Sequence, residues 1–185
     1  MSSHHFVKED QEPALVIASV THQTFEKIKP LLEWSPRIIV HYATLDSILN
    51  WAIKFDGVIC TAALKSSFEK KIAEYEPLEW FIYSTSFLQE TIAEVMTRNI
   101  AAIQIMDAHE DYPLVELERL KIHSVTQLTD SVRWSLIKSK KWHKWLPANS
   151  LIHVYVAGKT ETISTAKADS LSIEKETIFW IGEPY

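Results

Sequence analysis

Glycine is almost missing. The chain has three (Gly57, Gly158 and Gly182) in 185 residues, where average usage of ~7% would supply about a dozen. A Walker loop, a GxGxxG dinucleotide turn, a nucleophile elbow and an EF-hand each need glycine where backbone must approach a ligand or take positive φ. None of these motifs can be written in this sequence. Cysteine is scarcer still: Cys60 stands alone, which excludes an intrachain disulfide and a cysteine-rich zinc site and suits a reducing compartment. A basic excess is lacking too. Lys and Arg number 19 against 24 Asp and Glu, a formal charge of −5, so bulk electrostatics would not hold a nucleic acid or an anionic membrane. No run of about 18 apolar residues is present, and Met1 to Pro13 is polar and acidic where a signal peptide needs an apolar core. A cytoplasmic protein with no nucleic-acid or membrane partner is expected.

What is present is the composition of a folded protein, 46% apolar and 23% charged, long enough for one large domain or a domain with a smaller appendage. Short β-branched runs at Leu15 to Val20, Arg37 to Tyr42, Gly57 to Thr61, Trp80 to Ser84 and Ala101 to Met106 alternate with amphipathic segments at Thr24 to Glu33, Leu45 to Ile53, Ser66 to Tyr75 and Phe87 to Arg98. That alternation implies an α/β fold with a mostly parallel sheet covered on both faces. From Lys121 the runs become short and rich in Val, Ile, Thr and Trp. Ser131 to Ser139, Trp142 to Leu146, Ser150 to Ala157, Glu161 to Thr165, Ser170 to Glu174 and Thr177 to Gly182 read as antiparallel strands, with Pro147-Ala148-Asn149 and Gly158-Lys159 as turns. The expected organisation is a flexible N-terminus over residues 1–13, a parallel α/β domain over 14–120, and a small antiparallel, sandwich-like β domain over 121–185, with the boundary near 119–126.

In an open parallel sheet the ligand crevice lies beyond the C-terminal strand ends. The residues there are Thr21 and His22, His41 and Thr44, Cys60 and Thr61, Ser84 and Thr85, and Asp107 and His109. Of these, His41, Thr61, Ser84, Thr85, Asp107 and His109 are the candidate ligand-binding residues; the competing role of such Ser, Thr and Asp side chains is to cap the helices that follow. Cys60 becomes a nucleophile only with a base such as His41 beside it, and at the end of a Val-Ile-Cys strand it otherwise serves as a small core hydrophobe. His4-His5 lacks further ligands at a useful spacing, and no HxxxH or HExxH pair exists, so no metal site is expected. The Lys- and Trp-rich segment Lys138 to Trp145 offers cations beside aromatic faces, or simply a soluble edge strand.

The stretch PRIIVHYATLDSILNWAIKFDGVIC, Pro36 to Cys60, resembles the second and third strands of the thiamine pyrophosphokinase family, with Asp56 in the place of that family's Pro-Asp aspartate. Phe87 to Met106 is similar to the helix and strand before the family's glycine-rich turn. Thr129-Asp130 with KWHKWLPANSLIHVYV resembles the opening of its β-sandwich domain, and SLSIEKETIFWIGE its closing hairpin. The resemblance implies the family's two-part architecture, a homodimer formed through the β domain, and a thiamine-like or phosphate-ester ligand. It implies ATP and Mg²⁺ as cofactors only if kinase activity is retained.

The catalytic motifs are not matched. The family's Gly-Asp-x-Asp-Ser loop falls on Cys60-Thr61-Ala62-Ala63-Leu64, its Thr-Asp pair on Ser86-Phe87, and its glycine-rich turn on Asp107-Ala108-His109-Glu110-Asp111; its Ser-Asn-Glu is absent. Pyrophosphoryl transfer needs Mg²⁺ held by carboxylates, and that cluster is not written here. FDGVICTAALKSSF with STSFLQETIAEVMTRNI also resembles half of a uroporphyrinogen-III synthase, a metal-free enzyme, although the β-rich C-terminal third has no counterpart there. The expectation is therefore a divergent thiamine pyrophosphokinase-like protein, lacking the activity, that binds a small molecule or acts through assembly. The alternatives are an active enzyme with an unrecognised site, either a kinase with relocated ligands at Asp107, Glu110 and Asp111 or a metal-free synthase, and an interaction protein whose seven tryptophans form an interface.

Overall fold

The computed structural model describes residues 13–33, 37–75, 77–97, 100, 102–110, 113–119 and 122–185. Strands β1 (Ala14–Ser19), β2 (Arg37–His41), β3 (Gly57–Cys60), β4 (Glu79–Ile82) and β5 (Ala102–Asp107) alternate with helices α1 (Thr24–Leu32), α2 (Leu45–Asn50), α3 (Ala62–Lys71) and α4 (Phe87–Met96). These are the five strands and four helices expected from the periodicity, each within a few residues of its anticipated bounds. Ala101, Arg98, Lys121, Asp111 and the His4-His5 pair lie outside the described residues.

The period of two along each strand sorts its side chains onto two covered faces. Leu15 and Ile17 point to the face packed by Ile28 of α1 and by Leu45 and Ile48 of α2. Val16 and Ala18 point to the opposite face, against Leu88, Ile92 and Val95 of α4. Their i, i+4 and i+7 spacing makes α4 a helix with one buried stripe. Gly57 is required by a close approach: a Cβ there would meet the wholly buried Phe81 ring at 2.6 Å.

A sixth parallel strand, β6 (Ser124–Leu128), follows a short helix α5 (Leu114–Leu117) and pairs with β5. The sequence reading assigns no strand there, because SVTQL carries polar residues at positions that turn out to be buried: Thr126 is 8% exposed and Gln127 3%. The remaining strands are β7 (Val132–Ile137), β8 (Lys141–Leu146), β9 (Leu151–Val156), β10 (Lys159–Ser164), β11 (Asp169–Glu174) and β12 (Phe179–Pro184). The large sheet runs β10-β9-β12-β7-β6-β5-β1-β2-β3-β4, parallel from β6 to β4 and antiparallel from β6 to β10, and β11-β8 forms a second, two-stranded sheet. The β9–β10 hairpin turns on Ala157 (φ 47°) and Gly158 (φ 82°), the doubly positive pair of a type I′ turn.

The β8–β11 pair packs over the antiparallel strands through Leu146, Ile152, Ile173, Phe179 and Ile181, giving the sandwich anticipated from the C-terminal pattern. The sheet nevertheless continues across the 119–126 boundary. The resemblance implies a homodimer through the β domain, and a sandwich this small is short of burial on its own. Trp180 instead lies wholly buried in the core shared with α4 and the parallel strands, its Nε1–H donating to Glu118 Oε1 at 3.1 Å. Part of the missing burial is thus supplied within one chain. Among the described residues, no helix is long and apolar enough to cross a membrane.

Candidate functional site

The parallel strands reverse direction of progress between β1 and β5: the chain goes from β1 outward through β2, β3 and β4, then returns to β5 on the other side of β1. Such a switch point opens a crevice beyond the carboxyl ends of the two strands, and there the structure places a polar network. Asp107, the last residue of β5, has no solvent exposure. Ser19 Oγ donates to its Oδ1 at 3.1 Å, and Gln127 Nε2 donates to its Oδ2 at 2.8 Å. The backbone N–H of His109 donates to Ser19 Oγ at 3.1 Å, leaving the imidazole exposed. Three strand ends, those of β1, β5 and β6, are tied to one carboxylate.

A second carboxylate, that of Asp130, is held by the loop after β1 and by α1. Asp130 accepts from Thr21 Oγ1 at 2.7 Å and from Lys27 Nζ at 3.0 Å, and Lys27 also bonds the Asp130 carbonyl. Burial alone would raise the Asp130 carboxyl; the bonds from Thr21 and Lys27, the Lys27 charge and nearby His109 outweigh it and hold the group below its ordinary value. The Lys27 ammonium also lies 5.4 Å from the centre of the Tyr185 ring.

The outer strand ends form a different environment. His41, at the end of β2, is half-buried among aromatic rings, with centroids 4.5 Å from Tyr42, 4.7 Å from Phe87 and 6.1 Å from Tyr83, and its Nε2 stands 3.4 Å from Tyr83 Oη. Burial lowers the imidazole from 6.5 to about 4, so the ring is neutral at physiological pH. Cys60 is wholly buried at the end of β3 and its thiol is pushed up, foremost by burial; it is the core hydrophobe of the two readings and not an activated nucleophile. Thr61 occupies the N-cap position of α3 with extended backbone, its carbonyl accepting from Leu64 N–H at 3.0 Å, and its side chain makes no capping bond.

Ser84 and Thr85 serve α4 in the way that capping would predict, with the roles inverted: the helix supplies the acceptor. Glu90 receives the backbone N–H groups of Ser84, Thr85 and Ser86 at 2.8–2.9 Å and the Thr85 hydroxyl at 2.9 Å. The carboxylate satisfies donors left over at the helix start, a variant of the capping box. These bonds, Ser86 first, lower the Glu90 carboxyl from 4.5 to about 2. Because the folded value lies below the unfolded one, the stabilisation is complete above pH 4.5 and is lost as pH falls toward 2. We expect Glu90→Gln to be less stable than the parent at pH 7 and to show a smaller acid-induced decline over that window, measured by urea unfolding at a series of pH values.

The six candidate residues therefore divide. Asp107 and His109 belong to the switch-point network, His41 to the aromatic cluster, Ser84 and Thr85 to the α4 cap, and Thr61 to the start of α3. Sequence reasoning missed Ser19, Lys27, Gln127, Asp130, Tyr83 and Glu90. Of these, Glu90 alone had a local signal, a Glu four residues after Ser86; the others come from elements distant in sequence.

Hard divalent cations require several carboxylate oxygens converging on one point. The segment after β3, Cys60 to Leu64, carries none, and both Asp107 oxygens already accept hydrogen bonds. Among the described residues no three His, Cys, Asp or Glu side chains are grouped to hold a metal ion. The described donor set does not fit Mg²⁺.

No protein-family model and no curated relative matches the sequence. Solved structures do. A thiamine pyrophosphokinase from Bacillus subtilis aligns with 94% of this chain and 99% of its own at 8% identity and a TM-score of 0.65. One from Geobacillus thermodenitrificans covers 93% and 97% at 5% identity and a TM-score of 0.66, and the Candida albicans protein covers 97% and 90% at 8% identity and 0.59. The chain has the fold of these proteins along nearly its whole length, while its sequence shares almost nothing with theirs.

Proposed function

We propose that this chain, built on the thiamine pyrophosphokinase fold, does not transfer pyrophosphate and instead holds a small molecule at its parallel strand ends. The observation that carries this reading is the state of Asp107: the wholly buried carboxylate at the switch point is committed to Ser19 and Gln127, and the loop after β3 has no acidic residue to join it. ATP and Mg²⁺, which the resemblance implies only for an active kinase, have no carboxylate cluster to receive them among the described residues. What the strand ends retain is a hydroxyl- and imidazole-bearing surface beside aromatic rings, the composition of an orienting site and not of a phosphoryl-transfer site.

The experiment is formation of thiamine diphosphate from thiamine and ATP·Mg. The expected result is no product above the background without protein. Product whose formation vanished on Asp107→Asn would overturn the reading and make Asp107 a metal ligand. Calorimetry with thiamine and its phosphates tests the binding half: saturable heat without turnover supports it, and no heat with any of them removes it.

A further inference from the structure

The ten-stranded sheet ends in β10 on one side and β4 on the other. An open edge is a row of unpaired N–H and C=O groups, a template for pairing with another strand unless something prevents it. Charge is a common safeguard, and the other described open strands carry it: Lys159 and Glu161 on β10, Lys141 and Lys144 on β8, Asp169 and Glu174 on β11. β4 reads Glu-Trp-Phe-Ile. Its one charge, Glu79, is drawn back toward β2 by an ion pair with Arg37. From Trp80 to Tyr83 the chain is aromatic and β-branched, without proline and without a bulge in its register on β3. Of the usual safeguards β4 keeps shortness, at four residues.

The backbone shows which groups are open. The Glu79 N–H donates to the Asp56 carbonyl at 2.9 Å and the Tyr83 N–H to the Cys60 carbonyl at 3.2 Å. Alternate residues of β4 therefore face β3, and the N–H and C=O groups of Trp80 and Ile82 point away from it, to the side where the sheet has no further strand. Their side chains share one face. Ile82 is 40% exposed, and Trp80 is half-buried, with the Lys65 ammonium of α3 5.6 Å from its ring centre. α3 buries none of its ten residues, whereas α1 and α2 each bury two. Both the sheet and the helix that covers it are unfinished at this edge.

We propose that the β4 edge pairs antiparallel with the β4 edge of a second copy of this chain, about a two-fold axis at Phe81. In that register Trp80 of each copy stands opposite Ile82 of the other, and the outward N–H and C=O groups of both residues find partners. An aromatic residue against a β-branched one is a favourable cross-strand pair. Glu79 falls opposite Tyr83, so no like charges meet. An edge without charge from Trp80 to Tyr83 is matched by a partner equally free of it, which a second β4 is, and two-fold pairing satisfies both copies with the same patch. A contact between two such short strands falls below the ~1,200 Å² of stable interfaces, so the dimer is weak and concentration-dependent. It lies at the end of the sheet away from the β domain, through which the resemblance implies a dimer, and it does not rest on the strand-end reading.

Light scattering of the intact chain from about 10 μM to about 1 mM should show the mass rising from 21.3 kDa toward twice that value, in the parent and in Ile82→Val. Ile82→Lys should weaken association about tenfold or more, as lysine does on natural open edges. Ile82 is exposed and its N–H points away from β3, so the variant should stay folded, which circular dichroism checks. Hydrogen exchange of the parent needs no variant: the Trp80 and Ile82 amides should slow as concentration rises. Three results would overturn the proposal. A mass near one chain throughout would leave the edge to some other partner, and association as strong in Ile82→Lys as in the parent would place the interface elsewhere. Trp80 and Ile82 amides equally slow at every concentration would mean that another part of the same chain covers the edge.

Discussion

Replacing Asp107 by alanine should cost about 3–4 kcal/mol of stability, through two lost hydrogen bonds to a charged group at ~1.5 kcal/mol or more each and the stranding of buried donors. The Ser19 hydroxyl and the Gln127 carboxamide belong to residues 7% and 3% exposed, so neither regains a full hydration shell when the carboxylate goes. A loss of that size is a large fraction of the ~5–15 kcal/mol that holds a domain together. It would be felt where β1, β5 and β6 converge, since the one side chain joins all three strand ends. Asp107→Asn should cost far less, because an amide oxygen still accepts from Ser19 and the Gln127 carboxamide can turn its own oxygen toward the new NH₂. Chemical denaturation of the parent and both variants checks this. Equal losses for Ala and Asn would mean that the charge itself is what the fold requires, and no loss for either would remove Asp107 from the architecture.

The same network shows why the fold was more legible than the site. Strands such as ALVIAS and RIIVH announce themselves as continuous apolar runs, buried on both faces, and the helices between them carry their stripe in the local order of residues. Asp107 and His109 were also legible, because the end of a parallel strand is a position that sequence can name. Their partners were not: Ser19 is 88 residues from Asp107, and Lys27 is 103 residues from Asp130. Gln127 was hidden for a further reason. Its own polar side chain is buried because it serves that carboxylate, so part of the pattern that would have revealed β6 was erased by the interaction that makes it matter. The continuity of the sheet was equally out of reach, since a change of texture near residue 121 marks the switch from parallel to antiparallel pairing and says nothing of whether the hydrogen-bonded ladder stops there.

A separate decline of stability is expected at milder acidity, and it belongs to His41. Its imidazole is packed among Tyr42, Tyr83 and Phe87, and burial lowers it from 6.5 to about 4. Above pH 6.5 the ring is neutral folded and unfolded, and it contributes no pH dependence. Between 6.5 and 4 the unfolded chain takes up a proton that the folded chain refuses, so stability falls with pH across that window and levels off below it. The whole shift would be worth at most about 3 kcal/mol, and the ring's residual exposure reduces the expected loss to about 2 kcal/mol. His41→Phe keeps a flat ring in the aromatic cluster and removes the titration. The difference between the two proteins' unfolding free energies should therefore grow as pH falls from 6.5 to 4, in favour of the variant, and stay constant on either side. This window lies mostly above that of Glu90, whose contribution is lost between pH 4.5 and about 2, so the two groups can be separated in one pH series. A constant difference between parent and His41→Phe from pH 7 to 4 would show that the imidazole reaches water in the folded chain and that the aromatic cluster is open at the strand ends.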